Sequence, residues 1–281
     1  MSYLDRIHAI NHHDPAHFRP LRVDGSTVGW LKHGFAERLR EWPEVFTVAA
    51  DHADLAAELA DFEARSRALD EVVGRLVADG VIDHRHGELY PVTATTRENA
   101  VMLLDRAAAP YFGIRAFGQH LNGYVRDGDD LYVWIARRSA SKRTYPGKLD
   151  NMVAGGLPHG ADLEDNLAKE CWEEASIPAE IARRARRVSE VSYRAEVAHG
   201  LKPDTMYCYD LELPPELEPR CNDDEVESFQ LLPIEQVMAI VRDGDQMKEN
   251  SAVTLIDFLI RHGRITPQHP EYADLLAGLR G

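Results

Sequence analysis

The chain is predicted to fold as two consecutive α+β units, a smaller one over residues 1–115 and a larger one over residues 116–281. Three observations predict this. Short apolar runs with turn residues interleave with helical spacing through the first stretch. From His120 to Ala136, two alternating segments flank an acidic turn, which reads as a pair of strands. A glycine-rich loop at Gly155-Gly156 then feeds an acidic helix that Pro178 stops, and further strand patterns follow it.

In chain order, Leu4 to His17 opens the first unit. Asp24-Gly25 between apolar runs signals a hairpin. Phe35, Leu39 and Trp42 fit a short helix ending before Pro43, Ala53 to Ala64 a second, and Leu69 to Val77 a third closed by Asp79-Gly80. Leu89 to Val92 reads as a strand and Asn99 to Ala108 as a helix. Trp30 and Trp42 are expected in the core. His8, His12, His13 and His17 crowd the amino end, but no neighbouring Cys or Glu completes a metal site, so they are read as exposed or packing residues. In the second unit, Glu190 to Arg194 and Thr205 to Leu213 alternate as strands, which makes Cys208 a packing residue. Val226 to Phe229 leads into a helix from Pro233 to Val241, and Asn250 to His262 forms a last amphipathic helix.

Composition narrows the function. A hydrophobic content of 44% supports a true core, no apolar run approaches the length of a membrane span, and the start lacks a signal-peptide layout. The three scattered cysteines fit a reducing, cytoplasmic setting. A formal charge of −15 argues against a nucleic-acid polymer as partner, because phosphate backbones are held by Lys and Arg. Small anionic ligands remain open wherever positive charge is gathered locally. Arg137 to Lys148 is such a place, with five basic residues and no acid. Lying just before the acidic helix, it is read as a phosphate-binding run, with Arg137, Lys142 and Lys148 as its candidates.

The acidic helix is the chemical centre. Asp162 can cap its first turn. Glu170, Glu173 and Glu174 fall at i, i+3 and i+4 on one face, with Ala168, Cys171, Trp172 and Ala175 on the opposite, buried side. Three like charges on one face repel, and a hard divalent cation, Mg²⁺ or Mn²⁺, is their natural counter-ion.

These residues resemble a Nudix box, whose usual pattern is Gly, five residues, Glu, seven residues, then Arg-Glu-apolar-any-Glu-Glu-any-Gly-apolar. Glu170, Glu173 and Glu174 fall on the three family carboxylates and Gly155 on the first Gly. Lys169 replaces the Arg, Ala161 stands where the upstream Glu belongs, and Ser176 replaces the late Gly. Asp162 is the nearest acid to the missing one. The resemblance implies the Nudix fold, a mixed sheet between helices, preceded by the smaller α+β unit. It also implies a metal-dependent pyrophosphohydrolase acting on a small diphosphate. Metal would be held by Glu170, Glu173 and Glu174. Substrate would lie against Gly155, Gly156, His159 and the basic run. The base would be a box glutamate or Glu225 or Glu227, from a segment that often supplies it in the family.

The first unit, with Arg137-Arg138-Ser139, Thr144 to Gly147 and Leu149 to Asn151, resembles the Nudix subgroup that carries an extra amino-terminal domain and is found alone or fused to thiamine pyrophosphokinase. That likeness implies oxidised thiamine diphosphate derivatives as substrates; nucleoside diphosphate derivatives are the other class. Nudix enzymes often pair, which makes a homodimer an expectation. Two other readings share the fold. An isopentenyl diphosphate isomerase would want a catalytic cysteine, and Cys171 is on the wrong helix face. A non-catalytic diphosphate sensor would fit an eroded box, but all three helix glutamates are intact.

Overall fold

The computed structural model describes residues 2–280. Helix α1 (Tyr3–Ile10) is capped reciprocally by Ser2 and Asp5. Strands β1 (Phe18–Val23) and β2 (Ser26–Lys32) form the expected hairpin, with Asp24 and Gly25 at φ 49° and 77°. Helix α2 (His33–Arg38) buries Phe35 and runs into a short 3-10 turn before Pro43. Strands β3 (Phe46–Val48) and β4 (Ala53–Leu55) follow, and α3 (Phe62–Ala78) closes the unit's core with Leu69, Val72, Val73 and Leu76. The order of the sheet is β2-β1-β4-β3.

The helix expected from Ala53 to Ala64 is therefore corrected. β4 pairs in parallel with β1 and antiparallel with β3, and this two-sided pairing overrides the helix propensity of Ala, Leu and Glu. The true helix starts after Asp61, whose side chain accepts the Ala64 N–H at 2.7 Å. A second correction concerns Asn99 to Ala108. After β5 (Leu89–Val92) that stretch forms β6 (Met102–Asp105), paired antiparallel with β5. Only a 3-10 turn over Arg106–Ala108 and a single turn of α-helix, α4 (Ala109–Phe112), come after it. Trp30 and Trp42 are half-buried.

The larger sheet begins at β7 (Phe117–Asp127) and β8 (Asp130–Arg138), joined by the acidic turn. The two pair only near that turn. Where they diverge, β9 (Leu149–Asn151) pairs with β8 and β10 (Val153–Gly156) with β7, so the glycine loop is built into the sheet. Helices α5 (Leu163–Ala175) and α6 (Ala179–Ala182) precede β11 (Arg186–Ser192), β12 (Ala195–Val197) and β13 (Gly200–Lys202). The chain ends with β14 (Thr205–Glu212), β15 (Val226–Pro233), α7 (Ile234–Asp243), α8 (Glu249–Arg261) and α9 (Tyr272–Gly278). The main path is β11-β14-β7-β8-β15, with β7 and β14 parallel and the other pairs antiparallel. This is the mixed sheet between helices.

Alternation sorts its two faces. Tyr207 and Tyr209 of β14 join Leu121, Leu167 and Cys171 in a core beneath α5, whereas Met206 and Cys208 face α8. Helix α1 does not pack with the rest of the first 115 residues. Tyr3, Ile7 and Ile10 enter the core formed by α7, α8 and α9 instead. No helix among the described residues is long and apolar enough to cross a membrane.

Candidate active site

Helix α5 is fixed at both ends. The Asp162 carboxylate accepts the N–H groups of Glu164 and Asp165 at 2.9 and 3.1 Å. At the other end Ser176 takes the left-handed conformation, φ 53°, so that its N–H reaches Trp172 O and the Ile177 N–H reaches Cys171 O. A glycine would hold this position without the Cβ penalty. Ser176→Gly is expected to raise stability by up to about 1 kcal/mol, read as a higher urea midpoint with unchanged turnover.

One expectation about the buried side of this helix fails. Trp172 is 54% exposed, and Glu174 lies in the interior in its place. Leu167, Ala168, Cys171, Glu174 and Ala175 are the buried positions, so the stripe is rotated toward the carboxylates. The three box glutamates consequently sit in three different settings. Glu174 accepts the Ala154 N–H at 3.0 Å, and burial, reinforced by the charge of Glu170, pushes its carboxyl well above the ordinary range. Glu170 packs over Gly155, where a Cβ would stand 2.5 Å from its carboxyl carbon; burial raises it too, with Glu173 and Glu225 adding and Lys169 opposing. Glu173 is half-buried and turned to Lys169, at 2.8 Å, while Lys169 stands 3.7 Å from Glu170. Lys169 thus neutralises two carboxylates at once where the family's Arg would grip one.

These glutamates open onto a cleft of about 920 Å³ between the two units. It is lined by eight basic and eight acidic side chains, whereas the whole chain has 32 against 47. Positive charge is therefore gathered here, and two of the predicted cations are not part of it. Arg137 and Arg138 are neighbours on a strand and point to opposite faces. Arg137 turns to the Gly147 carbonyl, 2.9 Å, outside the cleft, and Arg138 lines the cleft, 3.0 Å from Asp150. Lys148 is spent on the Asp245 carbonyl. Lys142 does line the cleft, paired with Glu225. His159 also lies outside it. Its N–H donates to Leu89 O at 2.8 Å and its ring packs 5.7 Å from Phe62, which docks the loop on the first unit.

Glu225 stands in the cleft as an ionised carboxylate. Burial opposes its ionisation, but Lys142, Arg138 and Arg106 outweigh that and hold it below the usual value. Glu227 is exposed and does not line the cleft. Sequence reasoning missed Tyr90, Arg106, Lys202 and Lys248, which line the same cleft. No local signal marks these four; for Arg138, the alternation that separates it from Arg137 was available.

A divalent cation fits this donor set. Two carboxylates, Glu174 buried and Glu170 half-buried, both pushed toward neutrality by burial and by neighbouring carboxylates, match an oxygen-seeking ion, and the glycine cradle gives Glu170 the space to serve. Among the described residues no three His, Cys, Asp or Glu side chains converge as a closed cage. A pair of carboxylates with room for water and phosphate oxygens is what Mg²⁺ ordinarily takes.

Comparison with known proteins agrees with this geometry. Residues 2–116 match a domain of unknown function, DUF4743, and residues 119–252 match the NUDIX domain. Nudix hydrolase 24, chloroplastic, of Arabidopsis thaliana is 42% identical over 265 residues, spanning 94% of this chain and 73% of the relative. Nudix hydrolase 20, chloroplastic, of the same plant is 44% identical over 273 residues, with the same two shares. An uncharacterized protein of Saccharomyces cerevisiae is 31% identical over 276 residues, spanning 90% of this chain and 80% of the relative. With the paired glutamates inside the matched segment and likeness running through both units, the chain belongs to the Nudix hydrolases, metal-dependent enzymes that cleave diphosphate linkages.

Proposed function

We propose that this enzyme hydrolyses a small organic diphosphate carrying a flat ring, with Mg²⁺ as its working cation, and that oxidised thiamine diphosphate derivatives belong to its substrates. The observation that carries the reading is the single cleft in which Glu170 and Glu174 stand beside Arg138, Lys142 and Lys248. A cleft of about 920 Å³ suits a compact ligand rather than a polymer. Tyr111 stacks on His199 at 4.3 Å between centroids and offers a flat surface inside it.

Glu170 and Glu174 would hold the cation. When bound, it supplies charge neutralisation on phosphate oxygens and a water of lowered pKa. Arg138 and Lys142 share the negative charge that builds on the phosphates as the linkage breaks. Arg138 is kept in place by Asp150, which also binds Lys248 at 3.1 Å, so these two cations are pre-set before substrate arrives. Glu225, ionised at neutral pH and tied to Lys142, is the proton acceptor for the attacking water.

Phosphate release from a panel of thiamine, oxidised thiamine and nucleoside diphosphates, with and without Mg²⁺ or Mn²⁺, tests the reading. Cation-dependent turnover of an oxidised thiamine diphosphate is expected, and Glu225→Gln should lower it about a hundredfold. Turnover that ignores the cation, or confined to nucleoside derivatives, would sink it.

A further inference from the structure

We propose that the amino-terminal unit completes the active site, with Arg106 binding the substrate's diphosphate from the wall opposite the acidic helix. The inference rests on the hydrolase reading above and gives a task to a segment that matches only a domain of unknown function.

Arg106 follows β6 and reaches across to the glycine loop. A Cβ on Gly156 would stand 3.1 Å from its Nη1 and would also collide with the Tyr90 hydroxyl. On the neighbouring residue, Gly155, the missing Cβ makes room for Glu170. The two glycines are neighbours on β10, so their Cβ positions point to opposite faces, that of Gly155 toward the metal-binding carboxylate and that of Gly156 toward the cation, with only the backbone of the strand between them. Two adjacent glycines are therefore needed because two side chains of opposite charge, from two units, converge on them.

The guanidinium is also held ready and under-used. It lies over the Tyr90 ring, 5.7 Å from the centroid, which fixes its plane. Among the described residues its side chain makes one hydrogen bond, to Glu88 at 2.8 Å, out of the five N–H donors that Arg carries. Its remaining donors are available to an anion in the cleft. The unit that bears it cannot drift from the loop, because Arg97 donates to the carbonyls of Pro158 and Ala161 at 3.1 and 2.7 Å, and Leu89 O accepts the His159 N–H. The position of Arg106 over Gly156 is thereby set before substrate binds. Glu88 acts as a placeholder for phosphate, competing for the fork that the substrate takes.

Binding of methylenediphosphonate, which resists hydrolysis, to the full chain in the presence of Mg²⁺ tests the assignment by calorimetry. Arg106→Ala is expected to weaken binding about 10- to 100-fold, the worth of a charge-assisted hydrogen bond, with Arg106→Lys in between because it keeps the charge and loses the fork. Glu88→Gln should tighten binding, since it removes the competitor. A purely structural ion pair predicts the opposite sign for Glu88→Gln. Unchanged binding by Arg106→Ala, or weakened binding by Glu88→Gln, would overturn the proposal. Should Arg106→Ala not fold, as judged by its thermal midpoint, Arg106→Lys and Glu88→Gln still decide it. Failure of wild-type enzyme to turn over any diphosphate would remove the hydrolase reading instead, and the diphosphonate affinities would still report on Arg106.

Discussion

Glu174→Gln is expected to lower turnover by about three orders of magnitude while the fold stays at least as stable as wild type. The loss follows from removing one of the two carboxylates proposed to hold the cation, whose neutralising effect is worth several kcal/mol, and each 1.4 kcal/mol is a factor of ten. The stability follows from charge. Glu174 is buried beside Glu170 and pushed well above its ordinary pKa by burial and by that neighbour's charge, so a neutral amide in its place relieves repulsion between the two. The amide oxygen can still accept the Ala154 N–H. Adding Mg²⁺ should raise the melting temperature of wild type, through preferential binding to the folded state, and leave the variant unmoved. A variant that kept its rate, or still responded to Mg²⁺, would mean that the cation sits elsewhere.

Acid should weaken the fold in two stages, the first beginning near pH 6.5. His120, on β7 beneath α8, is fully enclosed, with Nδ1 donating to Asn151 Oδ1 at 2.7 Å. Burial pushes its pKa down to about 4, the charge of Lys248 adds to this, and Asp150 and Asn151 oppose it. The unfolded chain would protonate the same ring near 6.5, so between about 6.5 and 4 it binds a proton that the folded chain refuses. Stability therefore rises with pH across that window and falls by on the order of 3 kcal/mol as acid is added. Asp150 governs the second stage. Burial resists its ionisation, but Lys248, His120, Arg138 and the Ser251 hydroxyl hold it at about 2. Its contribution is complete above its unfolded value of about 3.9 and is lost as pH falls toward 2. Urea midpoints of wild type and His120→Gln from pH 7.5 to 4.5 check the first stage. The variant should show a flatter dependence, and an identical slope would count against the assignment.

Much of the site was legible because its core is local. Helical periodicity alone puts Glu170, Glu173 and Glu174 near one another, and the Gly-Gly before them marks a loop without further knowledge. Periodicity could not say which edge of the helix faces inward. Glu174 turns inward and accepts the part-buried N–H of Ala154, which belongs to a strand paired with β7 and lies outside the helix's own pattern. Arg106 was invisible for a related reason. Nothing in its own neighbourhood distinguishes it from any surface arginine, and its role depends on two units meeting over Gly156. The misread segments in the first unit have the same origin. Ala53 to Leu55 and Met102 to Asp105 are three- and four-residue strands, too short for a period-two pattern to outweigh helix-favouring residues. Partner strands distant in sequence decide them.

The placement of α1 has a bearing on how the molecule comes into being. Its Tyr3, Ile7 and Ile10 are made before every other element of the fold, yet their packing partners on α7, α8 and α9 follow all the strands. The helix waits until α9 has been made before its apolar side is covered, so the larger unit is completed by a segment synthesised ahead of the smaller one, whose own core needs neither. For the same reason a fragment cut at Phe117 would carry away α7, α8 and α9 without the helix that covers them, leaving an oily trough open to self-association. Laboratory dissection of the enzyme is better attempted with α1 reattached than by a cut between the two family matches.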